Sequence, residues 1–242
     1  MKPLLVTRPK PDAETQAARL RALGLGAQVE PLLRIEFLPA PPLDLKGISG
    51  LIVTSGNALR ALERHPQLDD LKSQRLFAVG DATAALARKQ GFFHVLAGPG
   101  DAASLAALVA RECAQRPGTL LHLSGERRAF DMRRALSAAS LRLEEAVLYR
   151  TEDADDFSPA GRAAIGAGNL SGVLLMSPAT ARVYARLIGR HGLAEAAREI
   201  EHFCLSPAVA AALDPIGLRH VNVAEMPKED HLLALVSDRL AN

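Results

Sequence analysis

The sequence contains an internal repeat, and this repeat restricts the possible folds more than any other feature. The segment GLIVTSGNALRAL, which begins at Gly50, resembles GVLLMSPATARVYARL, which begins at Gly172. A second pair consists of RLFAVGDATAALARK and EHFCLSPAVAAAL, and a fainter pair consists of KPLLVTRPK and GTLLHLSGE. Because the three pairs occur in the same order, the chain is expected to contain two similar structural units.

Each repeated segment has a short apolar strand, a small or polar turn and then an amphipathic helix. Strands that alternate with helices predict an α/β fold with parallel sheets covered on both faces. The predicted strands lie near 3–7, 28–36, 50–54, 76–79, 94–96, 119–123, 142–150, 172–176, 201–205 and 220–223. The predicted helices lie near 12–23, 57–65, 82–90, 101–115, 126–139, 158–166, 178–190, 207–214 and 228–241.

Two long strands with mixed charge interrupt this alternation. A proline-rich segment follows the first and an acidic segment follows the second, so linkers between domains are predicted near 31–42 and 142–156. The repeat leaves two arrangements open. Either each half of the sequence forms one lobe, or the first βαβ unit joins the last three βα units.

Charge and composition argue against several functional classes. The 29 basic and 27 acidic residues give a net charge of +2, and tryptophan is absent, which is not typical of a nucleic-acid-binding surface. Cys113 and Cys204 are expected to be buried free thiols, and His94 and His122 are interpreted as structural. The seven histidines lack metal-ligand spacing, so no metal site is predicted.

Several familiar sequence signatures are also missing. The sequence has no P-loop, no GxGxxG fingerprint and no GxSxG elbow, so neither a nucleotide site nor a serine nucleophile is predicted. No apolar run approaches the ~20 residues that span a bilayer. The first residues lack the apolar region of a signal peptide, so a cytoplasmic location is expected.

Small and hydroxyl-bearing residues follow many of the predicted strands. In a doubly wound sheet, ligands bind at the carboxyl ends of strands, where helix N-termini present free N–H groups. Because such turns recur in both halves, they predict a binding site for a polycarboxylate; the alternative is that each turn only caps a helix. The predicted binding residues are Thr7, Arg8, Thr54, Ser55, Gly80, Thr83, Ser124, Gly125, Ser177, Pro178 and Ser206.

Tyr149 is the candidate catalytic residue because it lies in the second long strand and carries a phenol that can donate a proton. The alternative is a packing role. Arg127, Arg128, Arg133 and Arg134 are predicted to lie on one helix, where they form either a surface stripe or partners for ligand carboxylates.

In order, these turns resemble the uroporphyrinogen-III synthase family over essentially the whole chain. The segments that carry the resemblance are VTRP, GLIVTSGNALR, FAVGDATAALARKQGF, HLSGERRAFDM, AVLYRT, VLLMSPATARVY and LSPAVAAAL. The resemblance implies two flavodoxin-like lobes with parallel sheets, joined by a two-stranded β-ladder. Residues 1–36 and 151–242 would form one lobe, and residues 38–148 the other.

The same resemblance implies an activity. The substrate would be hydroxymethylbilane, held by its carboxylates between the lobes and closed to uroporphyrinogen III by loss of water and inversion of ring D through a spiro intermediate. This implies a cofactor-free, monomeric lyase of heme and other tetrapyrrole biosynthesis, with transient contact to the preceding pathway enzyme. The alternative is a non-catalytic two-lobed binding module for an anionic small molecule.

Individual residues match the motifs of this family. Tyr149 matches the tyrosine of its VY[RQ]T-like segment, a candidate acid; Ser55 matches its TS turn, Thr83 its VGxxTA turn and Ser177 its SP turn. The last turn departs from the pattern, because the family often has a threonine pair after Gly-Pro where this chain has Ser206-Pro207-Ala208-Val209. Either Ser206 or backbone amides are expected to replace the lost hydroxyl contact.

Overall fold

The computed structural model describes residues 2–115, 118–128 and 130–240, and the chain folds into two compact units. Unit 1 contains Met1–Arg34 and Glu152–Asn242, and unit 2 contains Ile35–Thr151. Unit 1 is therefore built from two separate pieces of chain, whereas unit 2 is continuous.

Strands and helices alternate along the chain. The strands are β1 (Leu4–Val6), β2 (Ala27–Val29), β3 (Leu33–Phe37), β4 (Ile48–Val53), β5 (Arg75–Ala78), β6 (His94–Ala97), β7 (Thr119–Gly125), β8 (Arg142–Asp153), β9 (Gly172–Leu175), β10 (Glu201–Cys204) and β11 (Val221–Val223). The helices are α1 (Asp12–Ala22), α2 (Gly56–Leu62), α3 (Leu68–Lys72), α4 (Asp81–Lys89), α5 (Ala102–Cys113), α6 (Met132–Ser137), α7 (Pro159–Gly166), α8 (Pro178–Arg190), α9 (Ala194–Arg198), α10 (Pro207–Ala211) and α11 (Glu229–Leu240), with a 3-10 helix at Asp214–Ile216.

The sheet of unit 1 has the strand order β11-β10-β9-β1-β2, and all its pairs are parallel. Side chains alternate between its faces. Leu4 and Val6 pack against α1 and α11, whereas Leu5 belongs to the core beneath α7, α8, α9 and α10. Both faces are therefore buried, which explains why the strands are continuously apolar.

The sheet of unit 2 has the order β3-β8-β7-β4-β5-β6. The pairs from β8 to β6 are parallel, with α2, α3 and α4 on one face and α5 and α6 on the other. Strand β3 pairs antiparallel with β8, since Leu38 N donates to Leu148 O at one end and Ala154 N donates to Leu32 O at the other. The boundary between the units falls within β3 and within β8, so the connections between units are the paired strands themselves. The chain thus has the mixed α/β fold with parallel sheets that the sequence predicts.

The single strand predicted at 28–36 is two strands in the structure. β2 ends at Val29 and β3 begins at Leu33, because Pro31 cannot donate a hydrogen bond to a neighbouring strand. Glu30 turns into unit 1, where its buried carboxylate accepts a hydrogen bond from Ser158 N at 2.6 Å. Glu30 thereby joins the first piece of unit 1 to the start of α7.

The prediction of a helix at 126–139 is wrong for the first half of that range. α6 begins only after Asp131, whose carboxylate caps it by accepting a hydrogen bond from Arg134 N at 2.9 Å. Arg127 and Arg128 therefore precede the helix, and position 129 lies outside the described residues. The short helices α3 and α9 lie in stretches without a predicted helix, and position 241 of the last predicted helix also lies outside the described residues.

A polar contact lies within the core of unit 1. Tyr184 of α8 and His202 of β10 are both fully buried, and Tyr184 Oη lies 3.0 Å from His202 Nε2. Burial lowers the pKa of His202 to about 4, so its imidazole is neutral in the folded protein at pH 7.

The free energy of unfolding should therefore fall as the pH drops from about 6.5 towards 4. His202 binds a proton near pH 6.5 in the unfolded chain but only near pH 4 in the folded protein, so its contribution is fully present above 6.5 and is lost as the pH falls through 4. His202→Gln should have a lower free energy of unfolding than the natural protein at pH 7. Between pH 6.5 and 4, however, its free energy of unfolding should fall by less, and the difference between the two falls should reach about 3 kcal/mol. Urea unfolding across the pH series measures both effects. The control is His94→Gln, at an exposed position. If this control weakened the pH dependence of the free energy of unfolding as much as His202→Gln does, the role of His202 would be contradicted.

Candidate functional site

Several predicted site residues of unit 2 lie at one edge of its sheet. Because β4, β5, β7 and β8 are parallel, their carboxyl ends point the same way. The structure brings to this edge the residues that we call the unit 2 edge: Thr54 and Ser55 after β4, Gly80 after β5, Gly125 at the end of β7, and Tyr149 in β8.

The phenol of Tyr149 is held from two sides within the unit 2 edge. Its hydroxyl lies near the side chain of Ser55, which lowers the pKa of the phenol. Its ring lies over Gly125, where an added Cβ would come within 2.7 Å of ring atoms Cε2 and Cζ. Burial raises the pKa of Tyr149 by more than Ser55 lowers it, so the phenol keeps its proton at neutral pH. The arrangement can hold a neutral proton donor in a fixed orientation.

The turns after β4 and β5 begin helices α2 and α4. Ser55 caps α2 by accepting a hydrogen bond from Asn57 N at 3.2 Å. At this turn the serine therefore has the helix-capping role that was the alternative to ligand binding. Gly80 precedes α4 in an extended conformation, and a Cβ at this position would lie 3.2 Å from Gly100 Cα. Thr83 lies in the first turn of α4 and is largely buried.

A polar cluster around the buried His122 lies on the other face of the same sheet. We call Thr54, His122, Glu145, Arg128 and Arg133 the His122 cluster. His122 of β7 is only 2% exposed; its Nε2 lies 3.3 Å from Thr54 Oγ1, and its Nδ1 lies 3.6 Å from Glu145 Oε1. Glu145 accepts from Arg128 at 2.7 Å and from Arg133 at 3.0 Å. Sequence reasoning missed Glu145; its opposition to His122 follows from the register between β7 and β8.

Ser124 lies two residues beyond His122 on β7, so the two side chains share a face. Ser124 is 1% exposed, and within the described residues its hydroxyl has no hydrogen-bond partner. A shift in register follows directly, because Ser124 is opposite Val147 whereas Gly125 is opposite Tyr149. This irregularity places Tyr149 on the face opposite to Glu145.

In unit 1, Thr7 and Arg8 follow β1 at the carboxyl edge of its sheet. Thr7 is fully buried, and its hydroxyl donates to Leu174 O at 2.6 Å. Arg8 pairs with Glu229 at 3.0 Å and with Asp12 at 3.3 Å, so protein carboxylates already neutralise its charge. Both side chains connect the turn after β1 to neighbouring elements of unit 1.

The other predicted residues of unit 1 follow β9 and β10 at the same edge. Ser177 caps α8 by accepting from Thr180 N at 3.1 Å, and Pro178 occupies the first turn of that helix. Ser206 precedes α10 in an extended conformation without a side-chain cap bond. Ser177 thus caps the helix that follows it, whereas Ser206 does not.

Some kinds of site are not found in the part of the chain that the structure describes. There, no three histidine, cysteine, aspartate or glutamate side chains are grouped closely enough to hold a metal ion. Among these residues Cys113 and Cys204 are both buried and form no disulfide bond, and burial raises the pKa of Cys204 to about 12. No helix among the described residues has the length and apolar character needed to cross a membrane.

A comparison with protein-family models identifies one family over most of the chain. The family model described as "Uroporphyrinogen-III synthase HemD" matches residues 14–234. No curated protein matches the chain.

Solved structures show the same fold at low sequence identity. The uroporphyrinogen-III synthetase of Helicobacter pylori is 15% identical, with a TM-score of 0.68, and the match covers 99% of this chain and 100% of that one. A mutant uroporphyrinogen III synthase of Thermus thermophilus is 19% identical, with a TM-score of 0.57 and coverage of 94% of both chains.

The packing of Tyr149 on Gly125 predicts a specific coupling. Gly125→Ala should displace the ring and lower the free energy of unfolding by about 1–3 kcal/mol. In a Tyr149→Ala background the same substitution should cost much less, because the ring is gone. Urea unfolding of the four proteins gives the coupling energy. Equal costs of Gly125→Ala in both backgrounds would show that the contact does not restrict this position.

Proposed function

The chain belongs to the uroporphyrinogen-III synthase family, and from this premise we propose that it closes hydroxymethylbilane to uroporphyrinogen III with inversion of ring D. Members of the family are lyases of tetrapyrrole biosynthesis that act on this bilane. The fold agrees with this, because the mixed α/β structure resembles those of the two synthases over nearly the whole chain.

The observation that best supports a catalytic role within the site is the neutral, oriented phenol of Tyr149. Donation of its proton to the terminal hydroxyl of the bilane lets the C–O bond break, so that water leaves and a protonated azafulvene, an azafulvenium cation, remains beside the phenolate. The substituted α-carbon of ring D attacks this cation to form the spiro intermediate, and the older bond from that carbon to its methylene bridge then breaks. The freed methylene joins the other α-carbon of ring D, which loses a proton, and this proton restores the phenol. General acid catalysis of this kind contributes about 10²–10⁴-fold.

Geometry makes the larger contribution, because the free bilane also cyclises without inversion, to the type I isomer. We propose that hydroxyls and backbone N–H groups at the strand ends hold its acetate and propionate groups. Arg8 contributes least, since Asp12 and Glu229 already neutralise it. For the bilane as a whole, carboxylates and rings together, the proposed binding residues are Thr7, Arg8, Thr54, Ser55, Gly80, Thr83, Ser124, Gly125, Ser177, Pro178 and Ser206.

Four finer points are part of the same proposal. They are a cytoplasmic location, a monomeric state, transient contact with the enzyme that supplies the bilane, and two lobes that comprise 1–36 with 151–242 and 38–148. The net charge of +2 is compatible with transient contact but does not select a partner.

Isomer analysis tests the activity directly. Freshly made hydroxymethylbilane is incubated with the protein, the products are oxidised to porphyrins, and the type III and type I isomers are quantified. Type III should dominate with protein and type I without it. If type I dominates in both, the synthase proposal fails and a non-catalytic anion-binding module becomes the better explanation.

Tyr149→Phe should lower kcat by about 10²-fold or more through loss of the acid. The free energy of unfolding should change by only about 1 kcal/mol, because the substitution removes one hydroxyl and leaves the ring in place. Tyr184→Phe is the matched control, since it removes a buried hydroxyl bonded to His202 in unit 1. The control should lose stability and keep kcat. A fully active Tyr149→Phe enzyme would remove Tyr149 as an essential acid.

A further inference from the structure

The His122 cluster is an unusual feature of an otherwise apolar core. On this face of the unit 2 sheet the neighbouring Ile52, Leu120 and Leu143 are apolar, whereas the buried Ser124 is polar. His122 lies between Ile52 of β4 and Glu145 of β8 in the strand register. A buried imidazole in such surroundings is costly unless both ring nitrogens have suitable neighbours.

The ionisation of the cluster follows from its burial and charges. Burial lowers the pKa of His122 more than Glu145 raises it, so the ring is neutral at pH 7. Burial also raises the pKa of Glu145, but the hydrogen bond from Arg133 and the charge of Arg128 together outweigh it, so this group is a carboxylate. Within the described residues, the charged groups around His122 are Glu145 on β8, Arg128 before α6 and Arg133 on α6.

A neutral imidazole has a single N–H, and the cluster determines which nitrogen carries it. The distance of 3.6 Å from Nδ1 to Glu145 Oε1 exceeds a hydrogen bond, but the field of the carboxylate favours an N–H on that side. The opposite tautomer would direct a lone pair of Nδ1 at the carboxylate. Nε2 is then the acceptor, and the hydroxyl of Thr54, 3.3 Å away, donates to it.

The orientation of Thr54 has a consequence at the unit 2 edge. Thr54 is only partly buried, and it stands beside Ser55 in the turn after β4. Once its hydroxyl proton is directed to His122, only the lone pairs of the oxygen are available to a ligand. The group can accept a hydrogen bond but cannot donate one to a carboxylate.

We propose that His122 is a positioning residue that, together with Glu145, fixes the Thr54 hydroxyl as a hydrogen-bond acceptor for a pyrrole N–H of the bilane. This inference rests on the proposed function. It separates two kinds of contact at the unit 2 edge: donors bind the carboxylates of the substrate, and Thr54 binds the ring nitrogen of a pyrrole. Thr54 thereby recognises the N–H group of the pyrrole ring rather than the carboxylates that the ring carries.

The first experiment compares two replacements of His122. His122→Leu removes the acceptor, whereas the side-chain amide of His122→Gln can present an oxygen near the position of Nε2. His122→Leu should raise KM by roughly 3- to 10-fold, the effect of one hydrogen bond, and change kcat little. His122→Gln should restore most of the loss. His65→Asn is the control, because it removes a buried histidine of unit 2 that is bonded to Pro41 O, and it should leave KM unchanged.

The pH dependence of KM supplies a readout that a packing role would not change. Protonation of His122 below pH 6.5 removes its acceptor, so KM of the natural protein should rise on the acid side. His122→Gln should lack this component of the rise. Identical pH profiles for the two proteins would overturn the positioning role.

The second experiment uses Thr54, so that the inference remains testable if the variants of His122 fail to fold. Thr54→Val should raise KM to a similar extent, and Thr54→Ser should not. The rise in KM should be the same at low and high salt, because the proposed partner is an uncharged N–H. A rise in KM that becomes smaller at high salt would indicate that Thr54 binds a carboxylate and would overturn the inference.

If the natural protein forms no type III product, the proposed function fails. If it forms type III while His122→Leu and Thr54→Val keep the natural KM, only this inference fails.

Discussion

Parallel hydrogen bonding between β4, β5, β7 and β8 is the constraint on which the candidate site depends. Parallel strands require crossover connections, and these connections return each new strand with the same polarity. One edge therefore brings together the turns after β4 and β5, the end of β7 and Tyr149 within β8, which are distant in sequence. The pairing also buries both faces of the sheet, which explains the long apolar strands.

β7 carries different chemistry on its two faces. On one face Gly125 provides the space for the ring of Tyr149. On the other face the buried His122 is opposite Glu145, which is partly exposed. The register shift between Ser124 and Gly125 makes this possible, because a regular strand would keep Glu145 and Tyr149 on the same face. One strand can thus support a proton donor and a hydrogen-bond acceptor without direct contact between them.

The sequence predicts the alternation of strands and helices well, because apolar runs and capping serines are local signals. It places Tyr149 in a strand and Ser55 in the turn before α2, both as observed. It fails where a distant contact overrides local preference. The residues before Asp131 look helical, but Arg128 instead reaches Glu145 on β8. Pro31 could have indicated the break between β2 and β3, whereas the pairing of His122 with Glu145 requires the register of two strands that are far apart in sequence.

The discontinuity of unit 1 has a consequence for the order of folding during synthesis. Unit 2 is complete once residue 151 has left the ribosome, whereas β1 pairs with β9, which is made later. The first strand must therefore wait, with one edge unpaired, while an entire unit is translated and can fold. Its three apolar residues, Leu4, Leu5 and Val6, thus lack the strand that covers that edge in the folded protein. Slow translation of unit 2 would lengthen this interval.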